Sequence, residues 1–247
     1  MPRREAIHRT DLPSVHLAFT TADDGDLAVD PAGVDLDARR RRIAPHPWTW
    51  LRQVHGTRVV EVDEPGEWAG AEADAAVTTA AGAVLAVHTA DCAGVLLHGT
   101  GPDPVTAEPT VVIGAAHAGW VGLRDGVLQQ SVALMRRLGA EQIAWDLGPC
   151  ISPAAYEFGA DDLDALSDRY GPTVRSRTLA GAPALDLRAV VRAALAEAGL
   201  DPSSGPASVP CTALDPGFFS WRARADTGRQ AAVVWLAPAD QDYPWHG

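Results

Sequence analysis

Cysteine is scarce in this chain of 247 residues: Cys92, Cys150 and Cys211 are odd in number and widely spaced. That argues against a disulfide framework of the kind that staples small secreted domains. Cations are outnumbered, 20 Lys and Arg against 32 Asp and Glu, for a net charge of −12. Nucleic acid and anionic membranes bind through positive surface that releases counterions, so neither is expected as a partner. No apolar run approaches the roughly 18 residues of a membrane helix, and the charged start Met1-Pro2-Arg3-Arg4-Glu5 leads into no apolar stretch of signal-peptide length. The expectation is a soluble, cytoplasmic protein whose partner is a small molecule or another protein. Repeats and breaks in composition are also lacking. With 47% hydrophobic residues the chain can build a substantial core, and residues 1–247 are expected to form a single domain.

What is present is an interleaving of short apolar runs with Gly and Pro punctuation. Strands are predicted at 15–20, 58–62, 75–78, 84–88, 94–98, 110–116, 142–147 and 231–236. Three helices follow from their periodicity. One carries Val127, Leu128, Leu134, Met135 and Leu138 and ends at Gly139; a shorter one runs from Asp161 to Tyr170 before Gly171-Pro172; the last is capped by Asp186 and carries Leu187, Val190, Val191, Ala194 and Leu195 up to Gly199. The Pro-rich stretch 101–109 reads as an exposed hairpin loop. The run Arg39-Arg40-Arg41-Arg42 reads as one end of a helix with its cations in solvent. The fold class is α+β.

Chemistry concentrates at Val54-His55-Gly56, Ala90-Asp91-Cys92 and Ala116-His117-Ala118-Gly119-Trp120. Two imidazoles and a thiolate suit zinc, a borderline-soft cation that takes nitrogen and sulfur, and three protein ligands leave a fourth position open, as in catalytic sites. Taken singly, Cys92 reads as a buried thiol and each His as a satisfied core or surface residue. Spacings of 37 and 25 residues mean that only the fold can gather them. Trp48, Trp50, Trp120 and Trp221 fall beside these segments and can stack on a ring or pack in the core or at the rim. The eight His include no His-x-His pair, so a multinuclear copper centre is not expected, although copper can compete for the three-ligand site.

Five ordered segments, Gln53-Val54-His55-Gly56, Thr89-Ala90-Asp91-Cys92, His117-Ala118-Gly119-Trp120, Gly148-Pro149-Cys150-Ile151 with Tyr156-Glu157, and Phe218-Phe219-Ser220-Trp221-Arg222, resemble the signature of the laccase-domain family. That family was once described as polyphenol oxidases and is now described as zinc-dependent purine nucleoside phosphorylases; it includes the bacterial peptidoglycan editing factor. The resemblance implies a layered α/β/β/α sandwich with mixed sheets. It also implies that His55, Cys92 and His117 ligate zinc, and that the substrates are a purine nucleoside (adenosine, inosine or methylthioadenosine) and phosphate. Gln53, Arg222 and Cys150 are then expected to bind substrate, Arg222 as a phosphate ligand, and Asp91 to act as an acid. Adenosine deamination, amide hydrolysis on a peptidoglycan precursor, copper-dependent phenol oxidation and a non-catalytic metal-binding role are the alternatives. The chain departs from the family at Ala22, at Val121 and at Ala223, where the family carries Arg; loss of two guanidinium groups is expected to weaken phosphate binding unless Arg124, Arg222 or Arg224 supplies the charge.

Overall fold

Apolar runs that do not alternate with polar residues mark strands covered on both faces, and the molecule is built around such strands. The computed structural model describes residues 3–7, 12–29 and 35–237. One sheet has the order β1-β2-β12-β6-β3, formed by β1 (Arg3–Ile7), β2 (Ser14–Phe19), β3 (Trp48–Trp50), β6 (Val84–Thr89) and β12 (Gln230–Ala237). All neighbours are antiparallel except β3 beside β6. The second has the order β4-β5-β8-β7-β9, formed by β4 (Val59–Val62), β5 (Ala75–Thr78), β7 (Ala93–Pro102), β8 (Pro109–Ala118) and β9 (Gln142–Leu147). Here only β4 and β5 are parallel. Both sheets are therefore mixed.

Three apolar layers hold them. Alternate residues of β6 face opposite ways: Leu85 and Val87 meet Leu96, Ile113 and Ala115 of the second sheet, while Val84 and Ala86 face Ile43 and Trp48. Residues Val95, Leu97, Val112 and Ala116 turn outward onto the helices α3 (Val127–Arg137) and α5 (Leu187–Glu197). The helix α1 (Leu36–Ile43) covers the first sheet; α2 (Trp120–Asp125), α3, α4 (Ala160–Tyr170) and α5 cover the second. This is the layered α/β/β/α sandwich. Among the described residues no helix is long and apolar enough to cross a membrane.

The eight expected strands and three expected helices are all present, most with ends shifted by one to four residues. Asp186 caps α5, accepting from Arg188 N and Ala189 N at 3.1 Å each. The β7–β8 hairpin turns within 101–109 as expected. Not expected were β1, whose Arg-Arg-Glu start reads as polar, the three-residue β3, β10 (Arg175–Arg177) and β11 (Pro183–Leu185), and the short helices α2 and α6 (Trp221–Arg224). The arginine run is corrected too. Arg40 turns inward, 7% exposed, with its guanidinium 5.8 and 5.0 Å from the ring centroids of Trp48 and Trp50. Burying a cation over two indoles recovers cation–π attraction and excludes that side chain from solvent.

Two chain segments cross from the first sheet to the second at the same end. One joins β3 to β4 and carries His55; the other joins β6 to β7 and carries Asp91 and Cys92. His117 lies near the end of β8, opposite Gly94 of β7. The fold thus delivers the three distant segments to one end of the paired sheets.

The sheets approach closely at Gly94, where a Cβ would stand 2.8 Å from Cβ of Ala232 on β12. Gly94→Ala should destabilise the fold by about 1–3 kcal/mol through overpacking, read as a lower thermal midpoint, and Ala232→Gly in the same chain should restore most of the loss. An unchanged midpoint in the single variant would show that the two sheets have slack there.

Candidate functional site

The donor atoms of His55, Cys92 and His117 lie within 4.8 Å of one another, and among the described residues they are the one group of three or more such side chains close enough to hold a metal ion. Cys92 Sγ is 3.8 Å from His55 Nε2. Bonds of about 2.3 Å to sulfur and about 2.1 Å to nitrogen at a tetrahedral angle put two such donors about 3.6 Å apart, so the pair already stands at ligand spacing. The two imidazoles meet edge to face, with centroids 4.8 Å apart. His55 is exposed, Cys92 half-buried and His117 buried, so the group opens toward solvent on the His55 side.

Asp74, which the sequence did not single out, organises this group. Its carboxylate is fully buried and accepts from His117 Nδ1 at 2.8 Å, leaving Nε2 as the atom available to a metal. It also accepts from the backbone N–H groups of Val54, His55 and Gly56 at 3.3, 2.9 and 2.7 Å. Burial would raise the Asp74 pKa, but the His117 hydrogen bond and those backbone donors outweigh it and hold the carboxyl low. The sequence offers no more than an acidic residue directly before an apolar strand, a pattern shared by many turns.

Two ligand segments adopt left-handed backbone, with φ of 60° at His55 and 96° at Asp91. Non-glycine residues rarely stay there unless the surroundings fix them. At His55 the Asp74 carboxylate does so. At Asp91 the carboxylate accepts from Thr212 Oγ1 at 2.6 Å, Ser220 Oγ at 2.7 Å and Arg222 N at 2.7 Å. Asp91 lines the cavity beside the metal group but engages both oxygens as acceptors, anchoring the turn that starts α6. Those three contacts position the turn.

The triad stands in the wall of a cavity of about 700 Å³. Trp120, Tyr156 and Trp221 give it aromatic surface, and Arg52, Arg222 and Arg229 give it cations. Arg222 Cζ lies 5.2 Å from the Tyr156 ring centroid. Burial, and then the neighbouring Cys92 thiolate, push the Tyr156 phenol above its usual range, so it stays a donor. Gln53 reaches the cavity, but its amide is engaged: Nε2 donates to His88 O and Oε1 accepts from His88 N, both at 2.7 Å. Cys150 does not line the cavity. It is fully buried in the helix-side core, where desolvation pushes its thiol up to about 11, so the expectation that it binds substrate is not met by its placement.

Val121 and Ala22 do not line the cavity either. Of the cations expected to compensate, Arg124 is held by Asp125 at 2.8 Å and lies over Trp120, and Arg224 donates to Asp226 and to the carbonyls of Thr212, Ala213 and Phe218. Arg222 lines the cavity. Arg52 and Arg229 were not foreseen; neither stands in a motif that distinguishes it from other surface arginines.

The sequence profile of the multi-copper polyphenol oxidoreductase laccase family matches residues 3–237, and the chain belongs to that family. A Mycobacterium tuberculosis protein named purine nucleoside phosphorylase is 37% identical over 228 residues, covering 88% of this chain and 86% of its own length. One of the same name from Xylella fastidiosa is 42% identical over 205 residues, 78% of this chain and 72% of its own. Among solved structures, the Neisseria meningitidis protein NMB0706 aligns at TM-score 0.73 with 28% identity over 95% of this chain and 99% of its own. YlmD from Geobacillus stearothermophilus aligns at 0.74 with 27% identity over 91% and 92%.

Two predictions follow from the geometry of the triad. A Cβ on Gly119 would stand 2.8 Å from His55 Cδ2 and 3.4 Å from Cys92 Sγ. Gly119→Ala should therefore displace His55 and lower metal content measured by elemental analysis, with the circular dichroism of the folded chain preserved; full occupancy would show that His55 is not a ligand. The second concerns protons. Burial would raise the Cys92 thiol, but His117 and His55 bring it down to about 6; burial would lower His117, but Cys92 and Asp74 bring it up to about 9. Between those values the metal-free pair shares one proton, which a metal must displace because it needs a thiolate and a neutral imidazole. Affinity for Co(II), read from the thiolate-to-cobalt absorption, should rise about tenfold per pH unit from about pH 7 to about 8.5 and then flatten. A pH-independent affinity contradicts the shared proton.

Proposed function

We propose that the cavity is the active site of a zinc-dependent purine nucleoside phosphorylase, with adenosine, inosine or methylthioadenosine and phosphate as substrates. The observation that carries this reading is that His55, Cys92 and His117 open into the same cavity as an aromatic wall and three guanidinium groups. The mixed nitrogen and sulfur donors suit zinc, a borderline-soft divalent ion. The names borne by the relatives support the activity, and three donors suit one ion in place of a multinuclear copper cluster. When bound, zinc supplies a Lewis acid at the cavity wall.

Phosphorolysis breaks the bond between C1′ of the ribose and the purine nitrogen and forms one between C1′ and a phosphate oxygen; the base leaves with the electron pair and takes up a proton. Trp120, Tyr156 and Trp221 offer faces on which a purine can stack. Arg222, whose backbone N–H is tied to Asp91 while its guanidinium lies over Tyr156, is a fixed cation for the dianion. Tyr156, kept protonated, can donate to the departing base. Asp91 and Gln53 hold the walls that carry these groups.

Adenosine incubated with the zinc-loaded protein should yield adenine at a rate that rises with phosphate, with ribose 1-phosphate as second product. His117→Ala and Cys92→Ser should lose both zinc and activity, and Cys150→Ser should keep both. Inosine formed without phosphate would replace the reading with a deaminase; release from a peptidoglycan peptide amide and no purine would replace it with an amidase. Phenol oxidation dependent on copper, or no turnover of any of these with zinc bound, would remove the phosphorylase reading altogether.

A further inference from the structure

His88 is the last residue of β6 to face α1: Val84 and Ala86 point to Ile43 and Trp48, and the strand alternation turns His88 the same way. Its ring is 6% exposed and lines the cavity, yet both ring nitrogens are buried and neither has a hydrogen-bond partner among the described residues. Buried polar atoms in folded proteins are nearly always paired. The backbone that carries the ring is fixed, because the Gln53 amide holds both the N–H and the carbonyl of His88 at 2.7 Å.

Among the described residues the fixed cations whose fields reach His88 are Arg40 and Arg229, and His117 adds its charge only in the metal-free chain. Burial first, and then those cations, lower the imidazole to about 3, so it presents one N–H donor and one lone pair. Arg40 is itself under-neutralised. Among the described residues its Nε and Nη2 are buried without partners, and the carboxylate paired with it, Asp37, is 3.8 Å from Nη1 with a side chain 74% exposed. Arg229 is anchored through Nη1 to the carbonyls of Asp226, Thr227 and Gly228 at 3.1, 2.9 and 2.8 Å, and it lines the cavity. A positive field, a fixed guanidinium and an unpaired N–H ask for a compact anion with several oxygens; a phosphate group can also donate a hydroxyl to the second ring nitrogen.

We propose that the part of the cavity between His88 and Arg229, in the field of Arg40, is an oxyanion subsite that takes a phosphate group. The proposal rests on the phosphorylase reading only for the identity of the nucleoside that shares the cavity. The same chemistry fits two sources, free inorganic phosphate and the 5′-phosphate of a nucleotide, and supplies a cation cluster where Ala22 and Val121 offer none.

Isothermal titration of the zinc-loaded full chain with inorganic phosphate, adenosine 5′-monophosphate and adenosine tests it, using wild type, His88→Leu, His88→Gln and Arg229→Gln. His88→Leu and Arg229→Gln should each weaken phosphate binding by about tenfold to a hundredfold, with zinc content unchanged and adenosine affinity within about twofold. His88→Gln, which keeps a donor, should recover part of the loss. Weakened inorganic phosphate with the monophosphate tracking adenosine assigns the free anion. Weakened monophosphate with inorganic phosphate unaffected assigns the nucleotide. Should His88→Leu fail to fold, Arg229→Gln carries the test by itself. Wild-type protein that binds neither anion, or variants that bind both as wild type does, overturns the subsite. Phosphate bound through His88 with no purine released would leave the subsite standing and remove the phosphorylase reading.

Discussion

Four donors converge on one carboxylate with no access to water, and the metal-competent end of the molecule depends on that convergence. Asp74 takes the N–H groups of Val54, His55 and Gly56 and the Nδ1 of His117, while its own backbone carbonyl accepts from His117 N at 2.7 Å. A carboxylate in an apolar interior is unfavourable unless its oxygens are fully engaged. Satisfying it therefore fixes the path of the β3–β4 crossing and the orientation of a β8 side chain at once. The two histidines are pinned to one another through a group that does not line the cavity.

A second carboxylate repeats the device on the other wall. Asp91 ties Thr212, Ser220 and the Arg222 backbone to the β6–β7 crossing, across 121 to 131 residues of chain. The left-handed backbone at His55 and Asp91 is held by these contacts, so strain and hydrogen bonding offset each other at the positions that aim Cys92, His55 and Arg222. Gly119 completes the arrangement by omission, since a side chain there would occupy the space of the His55 ring.

Much of the fold was legible in the sequence because the strands are covered on both faces and read as unbroken apolar runs, and because Asp186, Gly139 and Gly171 punctuate helices as isolated signals. β1 and β3 escaped detection for opposite reasons: Arg3-Arg4-Glu5 is too polar for an apolar pattern, and Trp48–Trp50 is too short to show a period. The inward turn of Arg40 escaped because a run of four arginines carries no mark of which one meets two tryptophans. Gln53 and Cys150 were read as substrate contacts from the motifs around them. An amide engaged by the His88 backbone and a thiol sealed beneath α5 look the same in a motif as groups that face a ligand.

The sequence by itself determined the residue types of the site and the α+β class, which are written in local pattern, and the resemblance carried by five ordered motifs implied the layered sandwich. Tertiary structure alone decided that Asp74 rather than a nearer acid orients His117, that Asp91 braces a loop, and that Arg52, Arg229 and His88 join the cavity. These are contacts between segments 19 to more than 100 residues apart, and side chains acquire such roles only when crossings between two sheets bring them within hydrogen-bond reach.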